Sequence, residues 1–293
     1  MQLVTIDSRE VAGRPGVMTA SGDILDLVSA PSTLDESQWI PHSVVSVLAA
    51  GEDGKEHVVR LLEASAAADQ QSLRDAGVLL PFDQTRLMAP VRRPGLVLVT
   101  ERDQAGAGEP DPVAYIKSPN TVVGHSAQVS IPWGTADGLL VRPLLGIVLS
   151  RPIQRATEAV AARAIAAYSL LFDLSRPHPA SGQPAAVWRS YLDSKQFPGA
   201  CPVGPGLITA DEFSDSAKLE FSMNGVAVNN SVCELSSLPA LLAGLSSRYA
   251  FRPGDVVGVD IGLAQAEQRR YQDGDELTLD LVGKMRLETR LQI

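Results

Sequence analysis

Leu219, Phe221 and Met223 alternate with polar neighbours as far as Asn224-Gly225, and Val226 and Val228 take up the alternation beyond it. Side chains along a strand point alternately to opposite faces, and Asn-Gly is favoured in a two-residue turn, so this stretch predicts a β-hairpin. Leu277, Leu279 and Leu281 repeat the pattern into Gly283-Lys284 and predict a second hairpin with its return strand over the last residues. The apolar run at 96–100, entered through the prolines of LMAPVRRPG, predicts a buried strand. Shorter strands are expected around Leu3 and Thr5 and over residues 114–117 and 128–131, with a looser GAGEP segment at 106–110.

Residues 43–50 and 57–68 predict helices from their Ala, Glu and Leu content, on either side of a GEDG turn at 51–54. In residues 156–172, Val160, Ala164, Tyr168 and Leu171 recur at helical spacing and Thr157 is placed near the start, which predicts one helix ending just before Asp173. Pro177 and Pro179 bar its continuation. Many short strands with few helices predict an α+β protein, mostly β, built as a roll or barrel. The change of texture at Leu87 divides it into a mixed N-terminal domain, 1–86, and a β-rich domain, 87–293.

Composition narrows the function classes. Of the 293 residues 45% are apolar and 20% charged, which is ordinary for a globular protein. The opening MQLVTIDSREV lacks the basic-then-apolar pattern of a secretory leader, and the apolar stretch LLVRPLLGIVLS is short and interrupted by Arg142 and Pro143, so no membrane span is expected. Cys201 and Cys233 lie in no metal-ligand or redox spacing and predict two buried thiols in a cytoplasmic protein. A net charge of -9 without a basic stripe argues against nucleic acid as a partner. No phosphate-binding glycine loop, GxSxG elbow or HExxH pattern occurs.

From Leu87 onward the order of landmarks resembles the fumarylacetoacetate hydrolase family. The landmarks are LMAPVRRPG, YIKSPNTVVG, IPWG, AAYSLLFDLSR, SYLDSKQFPGACPVGPGLIT, LEFSMNGVAV, FRPGDVVGVDIG and DGDELTLDLVGKMRLETRL. The resemblance implies a rolled, mostly antiparallel sheet, a homodimer, and enzymes that cleave, decarboxylate, hydrate or isomerise β-dicarbonyl and 2-oxo acid compounds. It also implies a Mg or Ca ion held by carboxylates, as suits hard cations.

The chain departs from that pattern at the metal. The strand positions that carry the family's Glu pair fall on Arg142 and Leu144, and only the third ligand is kept, as Asp173. The segment that supplies a catalytic His in the family's hydrolases reads VTERDQAGAG, without His, and Glu101 within it reads as a solvated loop carboxylate. The resemblance places Lys195 and Lys117 at cavity lysines, with Arg176 and Asp260 as further substrate-binding candidates and Asp260 also readable as a turn residue. His125 and His178, like His42 and His57, fall at no catalytic position of the family.

These readings converge on an enzyme that needs neither a metal nor another cofactor and acts on an enolisable carbonyl compound by cyclisation, isomerisation or decarboxylation. Lys195, Arg142 and Asp173 are the catalytic candidates, with Arg142 pairing Asp173 where the metal would stand. The alternatives are an ordinary metal-dependent member and a non-catalytic binding protein of the same fold. A role in specialised metabolism would fit the divergence.

Overall fold

The computed structural model describes residues 1–8, 13–36, 39–101, 113–133, 139–176, 194–263 and 271–293. The expected loose segment at 106–110, His178, Pro177 and Pro179 lie outside them.

The N-terminal segment forms strands β1 (Gln2–Ile6), β2 (Arg14–Met18), β3 (Ile24–Asp26) and β4 (Leu79–Leu80). Its helices are α1 (Ala30–Leu34), α2 (Val44–Ala49), α3 (Glu52–Ala67) and α4 (Gln70–Asp75). The GEDG stretch is no separate turn, contrary to the sequence reading. Gly51 precedes α3 with φ 63, and Glu52–Gly54 form its first turn. Glycine at 54 has a steric reason, since a Cβ there would meet the Val47 carbonyl oxygen at 2.3 Å where α3 crosses α2.

Beyond Leu87 come β5 (Val97–Glu101), β6 (Val113–Lys117), β7 (Val122–Val123), β8 (Ala127–Ser130) and β9 (Leu140–Leu149). Helix α5 (Glu158–Ala164) leads into β10 (Ile165–Ser175), followed by β11 (Cys201–Thr209), β12 (Ser216–Met223) and β13 (Val226–Glu234). Helix α6 (Leu238–Ser246) and strands β14 (Val256–Asp260), β15 (Glu276–Leu281) and β16 (Met285–Gln292) complete the described elements.

The long helix expected over 156–172 is the main correction. Thr157 does cap, its hydroxyl accepting from the Val160 N–H, but the helix ends at Ala164 and the chain runs on as a strand. Every residue from Ala167 to Ser175 is buried, and a run apolar on all sides suits a central strand as well as a buried helix. Val160, taken as part of the helix's apolar face, is 39% exposed. Asp173 therefore sits within a strand.

One sheet runs β4-β3-β2-β1-β11-β10-β9-β14-β5-β6, with β7 added alongside β11, and a second runs β13-β12-β15-β16-β8. Through the antiparallel β1–β11 pair the first 86 residues share the large sheet with the rest of the chain. The two predicted hairpins are β12–β13 and β15–β16, and they build the smaller sheet. Its inner face packs on the large sheet, with Phe172 edge-on to Phe221 at 5.8 Å.

Four strand spacings separate β10 from β6, about 19 Å if the sheet were flat. Lys117 on β6 nevertheless reaches Asp173 on β10 at 2.6 Å, so the sheet rolls its β6 edge back over its centre. Cys201 and Cys233 are both buried. Among the described residues no helix is long and apolar enough to cross a membrane.

Candidate active site

Strand register delivers the site. On the antiparallel β9–β10 ladder Arg142 lies directly opposite Asp173, and on β9–β14 Asp260 lies opposite Leu144, two residues further along. Glu101 ends β5, and Tyr115 and Lys117 stand two apart on β6, hence on one face of that strand. Lys195 comes from the turn before β11. Its neighbour Gln196 clamps that turn to the β6 edge, accepting from the Ser118 N–H at 2.7 Å and donating to the Ile116 carbonyl at 3.1 Å.

Asp173 is the hub. Its Oδ1 accepts from Lys117 Nζ at 2.6 Å, and its Oδ2 accepts a short hydrogen bond from the Tyr115 hydroxyl and one from Lys195 Nζ at 3.3 Å. Arg142 Nη1 lies 3.5 Å from the same Oδ2. The Arg142–Asp173 pair anticipated from sequence is thus within ion-pair distance, but the nearest cation to Asp173 is Lys117. Arg142 Nη1 donates instead to Glu101 Oε1 at 2.6 Å and to Tyr115 Oη at 3.3 Å, while its Nε lies 3.6 Å from Asp260 Oδ2. Lys195 Nζ donates to Tyr115 Oη at 3.2 Å and lies 3.5 Å from Glu101 Oε1.

Among the described residues three cations, Lys117, Lys195 and Arg142, thus face three carboxylates, Asp173, Glu101 and Asp260. That balance is what lets ionic groups occupy a site where unpaired charge would be costly. Burial alone would raise the Asp173 pKa, but Lys117 first, then Lys195 and Arg142, hold it well below the ordinary carboxylate range. Burial, with the Asp173 charge next, raises Tyr115 well above the usual phenol value, so it stays protonated and can donate. Burial also lowers the Lys195 pKa, and Arg142 and Lys117 add to this while Asp173 and Glu101 oppose it. Burial works against the Arg142 charge, but the Asp173 and Glu101 carboxylates beside it raise its pKa, so it stays charged.

The other sequence candidates divide. Asp260 is a turn residue, its Oδ1 accepting from the Gly262 N–H at 2.8 Å, and its other oxygen faces Arg142. Arg176 follows β10 at an exposed position, with its guanidinium 5.8 Å from the Trp133 ring centre. His125 takes a structural contact, its Nδ1 accepting from the Glu288 N–H at 3.2 Å. Glu101 is no solvated loop residue, because it closes β5 and grips Arg142. Tyr115 was missed altogether, although its spacing of two from Lys117 was the available signal.

The metal implied by the resemblance does not fit the donors among the described residues. A hard divalent ion needs several converging oxygens. Among the described residues no group of three or more His, Cys, Asp or Glu side chains could hold one. Arg142 and the apolar Leu144 stand where the family's paired carboxylates are expected, and a metal cation at Asp173 would face three positive groups already there.

Comparison with known proteins agrees with the architecture. The chain is 23% identical over 290 residues to oxaloacetate tautomerase YisK of Bacillus subtilis (strain 168), covering 92% of this chain and 94% of that protein. Its fold is similar to crystal structures of maleylpyruvate hydrolase from Sphingobium sp. SYK-6, with a TM-score of 0.72 at 17% identity, covering 100% of this chain and 99% of the other. The complex of that hydrolase with manganese (II) ion and pyruvate gives 0.67 at 17% identity with the same coverage. Residues 89–292 match the family model described as fumarylacetoacetate (FAA) hydrolase C-terminal. The chain belongs to the fumarylacetoacetate hydrolase family.

Proposed function

We propose that the protein is a metal-independent enzyme that isomerises, cyclises or decarboxylates an enolisable 2-oxo acid or β-dicarbonyl compound. The observation that carries this reading is the convergence of Lys117, Lys195 and Arg142 on the Asp173–Tyr115 pair. Fixed positive charge in a largely dry site stabilises an enolate as it forms, and costs no reorganisation during the reaction.

In this reading Arg142 supplies a permanent charge for the enolate oxygen, beside a neutral Tyr115 hydroxyl whose proton is held by Asp173 Oδ2. Lys195, whose Nζ lies 3.2 Å from Tyr115 Oη and 3.3 Å from Asp173 Oδ2, supplies a second fixed charge at the same point. Asp173, a catalytic candidate from sequence, acts here as an anchor, because the lysines and Arg142 hold it ionised. The substrate is a small carbonyl compound, met by a cytoplasmic homodimer whose contact includes the exposed Val113 and Ile116 of edge strand β6. Light scattering showing only monomer at micromolar concentration would remove the dimer.

The test is turnover of a panel of 2-oxo acids and β-dicarbonyls, followed by enol and keto ultraviolet absorbance, with and without a chelator. The expected result is activity that survives chelation in protein holding less than one metal per chain. A second reading, an ordinary metal-dependent member, draws on the manganese and pyruvate bound by the structurally similar hydrolase. Activity lost on chelation and restored by Mg or Mn would establish it instead.

A further inference from the structure

Arg142 and Glu101 are the members of the charged cluster that water reaches, with side chains 19% and 20% exposed against 4% or less for Lys117, Lys195, Asp173 and Asp260. An incoming solute therefore meets this pair before any other charge of the cluster. A single oxygen, Glu101 Oε1, lies 2.6 Å from Arg142 Nη1 and 3.5 Å from Lys195 Nζ. One carboxylate bridging a guanidinium and an ammonium is the arrangement in which a bound carboxylate ligand would be held.

We propose that Arg142 and Lys195 form a binding subsite for the substrate's carboxylate, and that the Glu101 carboxylate occupies it until the substrate displaces it. The inference rests on the reading of the ligand as an oxo acid and deepens it. Exchange of one carboxylate for another keeps both cations paired, so neither is left buried and bare at any stage. Glu101 is suited to leave because its side chain already borders solvent, whereas Asp173 is enclosed and held by Lys117 and Tyr115. An internal occupant weakens apparent ligand affinity by the fraction of time the subsite is free. Occupancy of about nine tenths would weaken it about tenfold.

The experiment is calorimetric titration of the purified full chain with oxalate, and with its neutral analogue oxamide as control. Glu101→Gln is expected to bind oxalate about tenfold more tightly than native protein, with oxamide unaffected. Removing an acid also makes the whole cluster more positive, so Asp260→Asn is the matched control. It removes a charge beside Arg142 Nε, away from the Nη1 and Nζ atoms that Glu101 bridges. Equal tightening in Asp260→Asn and Glu101→Gln would reduce the effect to net charge and overturn the proposal, as would oxalate binding unchanged or weakened in Glu101→Gln. Should Glu101→Gln fail to fold, Glu101→Asp, which draws the carboxylate back by one methylene, is expected to tighten binding in the same direction. Oxalate binding without turnover of any enolisable compound would sink the proposed function and leave the subsite standing. Turnover of a carbonyl compound without oxalate binding would do the reverse.

Discussion

Lys117→Met isolates the internal counter-charge. Lys117 is fully buried and its ammonium lies 2.6 Å from Asp173, which is itself 1% exposed. Methionine roughly preserves the length of the side chain, so little cavity is opened and the lost charge dominates the change. Asp173 would keep Lys195 at 3.3 Å and Arg142 at 3.5 Å but lose its nearest cation and one hydrogen bond. Breaking one side of a buried ion pair costs about 3–5 kcal/mol, and the two remaining cations argue for the lower end. At about 2–4 °C of melting temperature per kcal/mol for a chain somewhat smaller than this one, the drop should be roughly 6–12 °C. The assay is thermal unfolding of native and variant protein, each with chelator and with added Mg or Mn. The double variant Lys117→Met/Asp173→Asn should recover part of the loss, since it removes the orphaned charge. A melting point within a degree of native would refute Lys117 as the counter-charge. Restoration of the single variant by Mg or Mn would show that the site accepts a metal after all.

Lys195→Ala should lower kcat by about 10²–10³, the effect of losing one preorganised charge at a reacting oxygen, and an unchanged rate on the true substrate would remove it from the chemistry. Tyr115→Phe keeps the ring beneath Lys195, whose Nζ is 4.4 Å from the centroid, but deletes the hydroxyl. It should reduce kcat by a similar factor with little change in KM, and equal loss in both would mark Tyr115 as structural. Acid should erode stability through Asp173. Its folded pKa is depressed, so its contribution is present above the unfolded carboxylate value of about 4 and is lost as pH falls below it. The melting-temperature gap between native protein and Asp173→Asn should therefore narrow below about pH 4, and a gap unchanged to pH 3 would contradict the assignment.

The parts legible in sequence were those where one face is wet. Strands β12 and β16 alternate buried and exposed positions, and each is joined to its hairpin partner, β13 or β15, by a glycine-containing turn, so period and turn chemistry agree. The centre of the large sheet hid itself for the opposite reason. β10 is buried on both faces and has no period, and β11, CPVGPGLIT, carries two prolines and two glycines that read as breaks. Gly206 is there because a Cβ would strike the Leu3 carbonyl oxygen at 2.6 Å across the β1 pairing, a long-range fact that no local pattern records. Asp173, Arg142, Lys195 and Lys117 were reached through the family resemblance. Tyr115 and Glu101 were passed over because each, taken alone, has an ordinary reading as a core aromatic or a surface acid.

On the proposed reading a guanidinium stands in place of a metal ion, and that changes which reactions the site favours. A metal with an open coordination position can lower the pKa of a bound water and so generate a nucleophile, whereas arginine offers only donors and a fixed charge. Arg142 spends two of those contacts on Glu101 Oε1 and Tyr115 Oη. What remains is charge aimed at Asp173 Oδ2 and the Tyr115 hydroxyl, a point where an enolate can be stabilised and a proton moved. On the proposed reading, reactions that begin and end with an enolate profit from that charge. Carbon–carbon hydrolysis would still need a base for water, and the expected histidine is missing from VTERDQAGAG. The replacement at position 142 and the missing histidine thus favour the same class of chemistry for independent reasons.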